Sequence, residues 1–147
     1  MKTLFDGVAR AEINKRVGAL RPDAQRKWGT MTVEKMLAHV ADGLRAALGE
    51  LAVEPKNTPF RFAPIRYLIL YVLPFPKGAP TAPELLARQP ESIETEIRAV
   101  QSLLERLAQR ANQETWPVHG AFGKMSGQDW GVLHYRHLDH HLRQFSA

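Results

Sequence analysis

Four of the six histidines in the chain fall in one short run: His134, His137, His140 and His141. At about 100° per residue, a helix puts His137 and His141 on one face, one turn apart. That face also carries Trp130, Leu133, His134 and Leu138, with Phe145 on its edge. Arg136, Asp139 and Arg143 occupy the opposite face, so the pair points inward, and His140 lies off the face, nearer Arg136 and Arg143. Two neutral imidazoles one turn apart can both reach a single metal ion at about 2.0–2.1 Å. The same pair can instead be core histidines bonded to backbone or to each other, since each needs a polar partner inside an apolar face.

A third metal ligand has to come from another helix. His39 is the candidate, set among Met36, Leu37 and Val40, with Gly43 one turn on leaving space beside it. A half-buried structural histidine is the alternative at that position. Three protein ligands leave coordination positions open, which marks a catalytic rather than a structural ion. Asp42, three residues after His39, and Gln144, three after His141, are placed to orient the two rings. His119, in a loop with Phe122 and Gly123, could line the mouth of the site, and His134 faces inward near it.

The elements that must position these residues are helical. Apolar residues at Val8, Ile13, Val17 and Leu20 predict a first helix over 8–20, ended by Arg21-Pro22-Asp23. Val33, Met36, Leu37, Val40, Leu44, Ala47 and Leu48 repeat with a period near 3.6, predicting a strong helix over 33–49 with Thr32 as N-cap and Gly49 as stop. Prolines 55, 59, 74 and 76 break the following segment, and Pro64 starts a short buried helix over 65–73. Residues 78–90 read as loop. Ile93, Ile97, Val100, Leu104 and Leu107 predict a helix over 92–111. Ser126 and Asp129 form a capping box that opens the last helix, from Gly127 to about Phe145. No segment alternates with period two long enough to be a strand. The fold expected is all-α, a four-helix bundle over a single domain, 1–147, with a short helix in a long crossover.

The composition fits that reading. The chain has 147 residues, 44% of them hydrophobic and 24% charged, enough for one core-bearing domain. It has no cysteine, which excludes disulfides, thiolate ligands and a cysteine nucleophile. The first residues lack the apolar core of a signal peptide, and the most apolar stretch, Tyr67 to Phe75, is too short to span a bilayer, so a cytoplasmic protein is expected. Net charge is +5, concentrated where no acid lies between Glu54 and Glu84. That interval carries Lys56, Arg61, Arg66 and Lys77, candidates for holding an anion if they are more than a solvated basic loop. No nucleic-acid-binding signature accompanies them. The apolar stretch beside these cations also raises peripheral membrane contact; a crossover helix that plugs the bundle is the preferred reading, and no stable membrane association is expected.

An ordered series of motifs resembles a known family. Trp28-Gly29-x-Met31, Met36-Leu37-Ala38-His39, Pro74-x-Pro76-Lys77-Gly78, His119-x-x-Phe122-Gly123, Trp130-Gly131 and the run from His137 to Phe145 resemble the DUF1569 family. The ending His137-x-x-His140-His141-x-x-Gln144 is similar to that of the wider DinB/YfiT-like superfamily. The resemblance implies an up-down-down-up bundle with the crossover between the second and third helices. It implies a divalent metal, zinc or nickel, at the positions of His39, His137 and His141, and in many members a homodimer. Members with known activities use the metal to activate a thiol or water; they include thiol S-transferases, a thiol-dependent isomerase and some hydrolases. DUF1569 itself has no assigned reaction.

Two functional readings follow. One is a metal-dependent transferase or hydrolase for a small-molecule substrate. Any thiol it uses must be a low-molecular-weight cosubstrate, because the chain has no sulfur nucleophile of its own, and the basic interval could recruit it. The other is a non-catalytic metal- or ligand-binding module, such as a stress-related binder or sensor, with His119 or His134 closing the shell.

Overall fold

The computed structural model describes all of residues 1–147, and it contains five helices and no strand. Helix α1 (Gly7–Gly18) starts where the Asp6 side chain accepts the Ala9 amide proton at 2.7 Å. It buries Ala9, Ile13 and Val17, one turn apart in sequence. Val8, counted on the apolar side from the sequence, is 82% exposed, because the buried register runs through Ala9.

Helix α2 (Val33–Ala47) is capped by Thr32 and ended at Gly49, whose φ of +77° is the left-handed turn glycine allows. Eleven of its fifteen residues are buried, which makes it the central element. Helix α4 (Ile93–Ala108) starts at Ser92, and helix α5 (Gly127–Gln144) starts with the capping box of Ser126 and Asp129. Both α1 and α2 pack against α4 and α5. The shared core includes Ile13, Val17, Leu37, Leu44, Leu104, Leu107, Leu138 and Leu142.

Between α2 and α4 lies the crossover. It holds helix α3 (Ala63–Tyr67), which continues into a π-helical turn over Leu68–Val72, and two short 3-10 turns, Pro59–Arg61 and Pro83–Leu85. The short helix was expected to be buried. It is not: Leu70 is its one buried residue, while Tyr67, Leu68 and Val72 stand exposed. Hydrogen bonds to its backbone and from one of its side chains hold it in place instead. The Arg136 guanidinium donates to the carbonyls of Ile69 (2.7 Å), Leu70 (2.6 Å) and Leu73, and the Tyr71 hydroxyl donates to Asp129 at 2.7 Å. No helix is long and apolar enough to cross a membrane.

Candidate metal centre

Helix α2 is buried around His39, so this ring has little room to turn and is only 4% exposed. Its Nδ1 lies 3.2 Å from the Leu85 carbonyl, which accepts a proton from it and leaves the lone pair on Nε2. The carbonyl is held firmly. Lys35 donates to the next carbonyls, Leu86 (2.6 Å) and Arg88 (2.8 Å). Arg88 reaches two helices at once, with Glu96 of α4 (2.7 and 2.9 Å) and Asp42 of α2 (3.2 Å). Burial opposes ionisation of Glu96, yet the bonds from Arg88 and the Glu91 amide outweigh it and hold the carboxyl below its ordinary range.

Helix α5 supplies the other two rings. His137 Nε2 lies 2.9 Å from His39 Nε2. His141 Nδ1 lies 2.9 Å from Gln144 Oε1 and donates to it, leaving its Nε2 free as well. Gln144 is itself fixed, since its amide donates to the Trp28 carbonyl at 2.7 Å. One ligand atom from each of His39, His137 and His141 lies within 4.8 Å of the others. The ring centres are 4.8 to 5.0 Å apart and set edge to face.

This donor set fits a divalent ion. Two nitrogens bound at 2.0–2.1 Å to one tetrahedral ion stand about 3.3 Å apart, a few tenths from the 2.9 Å of the His39–His137 pair. A contact that short between ring nitrogens needs a proton or a cation between them; with His39 donating from Nδ1, a proton there would be the Nε2–H of His137, which a bound ion would replace. Burial also keeps the rings in the neutral, ligating form. It pushes His39 down to about 4, His137 well below its ordinary value, and His141 downward against the opposing effect of Gln144.

The trio lies on a cavity of about 1080 Å³ that all six histidines line. The only charged residues in its wall are Glu54 and Lys56. His119 and His134 both pack on Trp130: His134 stacks on the indole at 5.6 Å, and His119 lies 5.2 Å from it. His119 Nδ1 accepts the amide protons of Ala121 and Phe122, each at 3.1 Å, so its proton is on Nε2. Neither nitrogen of His134 has a partner, and burial pushes the ring down to about 3. His140, outside the trio, packs on Trp28 (5.6 Å) and Phe75 (5.3 Å) at the cavity edge.

The sequence-derived orienting residues divide. Gln144 meets His141 directly. Asp42 does not meet His39, because its carboxylate is taken by Arg45 (2.6 Å) and Arg88, and the Leu85 carbonyl takes its place at the ring. Gly43 faces His134 and His137 rather than His39. Of the basic residues, Arg66 donates to the carbonyls of Phe122 and Arg61, Arg61 packs on Gly123, Lys77 lies 4.2 Å above the Trp28 ring, and Lys56 lines the cavity. The clamp of Lys35, Arg88 and Glu96 was not foreseen. The one sequence signal for it was Glu96 itself, a charge within the Ile93, Ile97, Val100 stripe.

Comparison with protein families matches residues 11–147 to the model of DUF1569, a protein family of unknown function, and the chain belongs to that family. Comparison with curated proteins and with solved structures returns no match.

Proposed function

We propose that the protein is a divalent-metal-dependent enzyme that activates a thiol or a water molecule against a small-molecule electrophile, on a single DinB/YfiT-like four-helix bundle of up-down-down-up topology. The observation that carries this reading is the convergence of three neutral imidazoles at the wall of a large cavity, two of them with Nε2 left free by bonds made at Nδ1. His39, His137 and His141 would hold the ion, and zinc and nickel both accept imidazole donors. A bound divalent ion lowers the pKa of a coordinated thiol or water and so makes a nucleophile available near neutral pH.

The chain's own residues supply the rest. Leu85 and Gln144 fix which nitrogen of each ring faces the centre. Asp42 is spent on two arginines, leaving Glu54 as the one acid in the cavity wall, and no carboxylate joins the three-histidine group. That favours an anionic donor atom from outside, such as a thiolate, with an apolar remainder suited to the walls. The non-catalytic reading needs a fourth protein ligand. The two residues considered for it stand apart from the trio: His134 is 6.2 Å from His137 between ring centres, and His119 has its Nδ1 engaged by backbone.

The test is metal analysis of untagged protein prepared without chelators, together with its His137→Ala variant. About one equivalent of zinc or nickel, lost in the variant, is expected. Substoichiometric metal that the variant leaves unchanged would overturn the proposal. X-ray absorption on the loaded protein would separate the two readings by counting the nitrogen ligands, since a fourth imidazole would favour the binder.

A further inference from the structure

Six of the nine large apolar side chains that the surface exposes fall within residues 60–73: Phe60, Phe62, Tyr67, Leu68, Val72 and Leu73. Five of them, Phe62, Tyr67, Leu68, Val72 and Leu73, are 45–64% exposed. They lie on α3, its π-helical turn and the residues flanking them, where Leu70 alone is buried and the Tyr67 and Tyr71 rings stack at 5.1 Å. A contiguous apolar face of this kind on a protein surface marks a contact site.

Charge identifies what it contacts. Lys56, Arg61, Arg66 and Lys77 lie in or beside this segment of the chain; Lys56 shares the cavity rim with Phe60 and Leu73, Lys77 sits over the Trp28 ring, and none of the four is in an ion pair. Two of the nearby acids are engaged, while Glu54 lies with Lys56 on the cavity wall. Asp129 accepts from Tyr71 and from the Ser126 amide, and Glu84 accepts the Glu54 amide at 3.0 Å. A second copy docked on this face about a two-fold axis would set these cations against themselves. An anionic surface would be complementary both to the cations and to the apolar face.

We infer that this face docks reversibly on an anionic lipid surface, with Phe62, Tyr67, Leu68 and Val72 entering the headgroup boundary and Lys56 and Lys77 meeting lipid phosphates. The arrangement has the two signals that peripheral binding requires, apolar burial and basic charge. Phe60 and Leu73 are exposed and also line the cavity, so the mouth of the site opens onto the same surface. The inference does not depend on the metal chemistry.

The experiment is co-sedimentation of the full chain with extruded vesicles of phosphatidylcholine, alone or with phosphatidylserine, at low and moderate salt. Binding is expected only to the anionic vesicles, weakening as salt rises. Lys56→Gln and Lys77→Gln should each weaken it about fivefold, the worth of one lysine at an anionic surface. Phe62→Ser combined with Leu68→Ser should weaken it about tenfold or more, from lost apolar burial. Circular dichroism melts check that the variants fold; should the serine variant fail, the lysine variants and the salt series still decide. No sedimentation in either salt, or equal sedimentation with neutral vesicles, would overturn the inference. So would ultracentrifugation showing that the serine variant turns a dimer into monomers, because the face would then belong to a second copy.

Discussion

Gln144 tests whether the three rings form a built centre or only a histidine cluster. Its amide spans two jobs, accepting from His141 Nδ1 at 2.9 Å and donating to the Trp28 carbonyl at 2.7 Å. Gln144→Leu removes both. His141 then loses the bond that fixes its tautomer, and metal affinity should fall about 10–100-fold, the usual cost of deleting a ligand's orienting partner. Stability should fall by about 1–3 kcal/mol, because the residue is buried and its former partners are left unpaired. Gln144→Glu separates the jobs. The carboxylate still accepts from His141 and raises its basicity, so affinity should hold or rise, whereas oxygen facing the Trp28 carbonyl should destabilise the fold. Gly29→Ala offers an independent route to the same bond: at φ +78° its Cβ would stand 2.5 Å from the Gln144 amide nitrogen and push it aside. Zinc competition against a chromophoric chelator gives the affinities, and urea melts give the stabilities. If folded Gln144→Leu binds metal like the parent, or if both substitutions lose affinity equally, the orienting role assigned to Gln144 is wrong.

Three further outcomes follow from the same geometry. His134 stays neutral in the fold down to about pH 3, whereas the unfolded chain takes up the proton near 6.5. It therefore withdraws up to about 1.4 kcal/mol per pH unit as pH falls through that window. His134→Phe should match the parent or better it near neutrality, and exceed it by about 2 kcal/mol near pH 5, read from urea melts at the two pH values. Arg88→Met leaves Glu96, 1% exposed, without its cation and should cost about 3–5 kcal/mol, most of it regained by adding Glu96→Leu in a double-mutant cycle. At Gly131 a Cβ would fall 2.2 Å from Thr3 Oγ1 and 2.6 Å from the Phe5 ring, so Gly131→Ala should cost about 1–3 kcal/mol and speed hydrogen exchange at the Leu4 amide, which is bonded to the Gly131 carbonyl.

The long helices were legible because each carries its own start signal and apolar period. Thr32 and Ser126 cap α2 and α5 as their positions in the sequence suggest, and Ser92, expected as the first residue of its helix, caps α4. The i, i+4 spacing of His137 and His141 and the apolar setting of His39 were enough to bring three rings together before any coordinates. What was not legible is the partner of each ring when that partner is backbone. The Leu85 carbonyl has no side-chain signature, so Asp42, one turn from His39, looked like the orienting group. The burial of the short helix was misjudged for a related reason: an apolar run such as Tyr-Leu-Ile-Leu-Tyr-Val reads as core, but four prolines and a π-helical turn leave only one narrow side of it facing inward.

The basic interval shows how composition overstates available charge. Lys56, Arg61, Arg66 and Lys77 look equivalent in the sequence, yet the fold uses them differently. Arg66 and Arg61 are drawn onto the loop 119–123, one through the Phe122 carbonyl and the other against Gly123, which keeps His119 beside Trp130. Arg136, from outside the interval, does the same for the π-helical turn through three carbonyls. A planar guanidinium with several fixed donors suits this bridging. The two lysines are left exposed at the ends of the segment. Replacing the arginines should therefore disturb the cavity wall and the fold, while replacing the lysines should leave the fold intact and change only the surface and the cavity rim they reach.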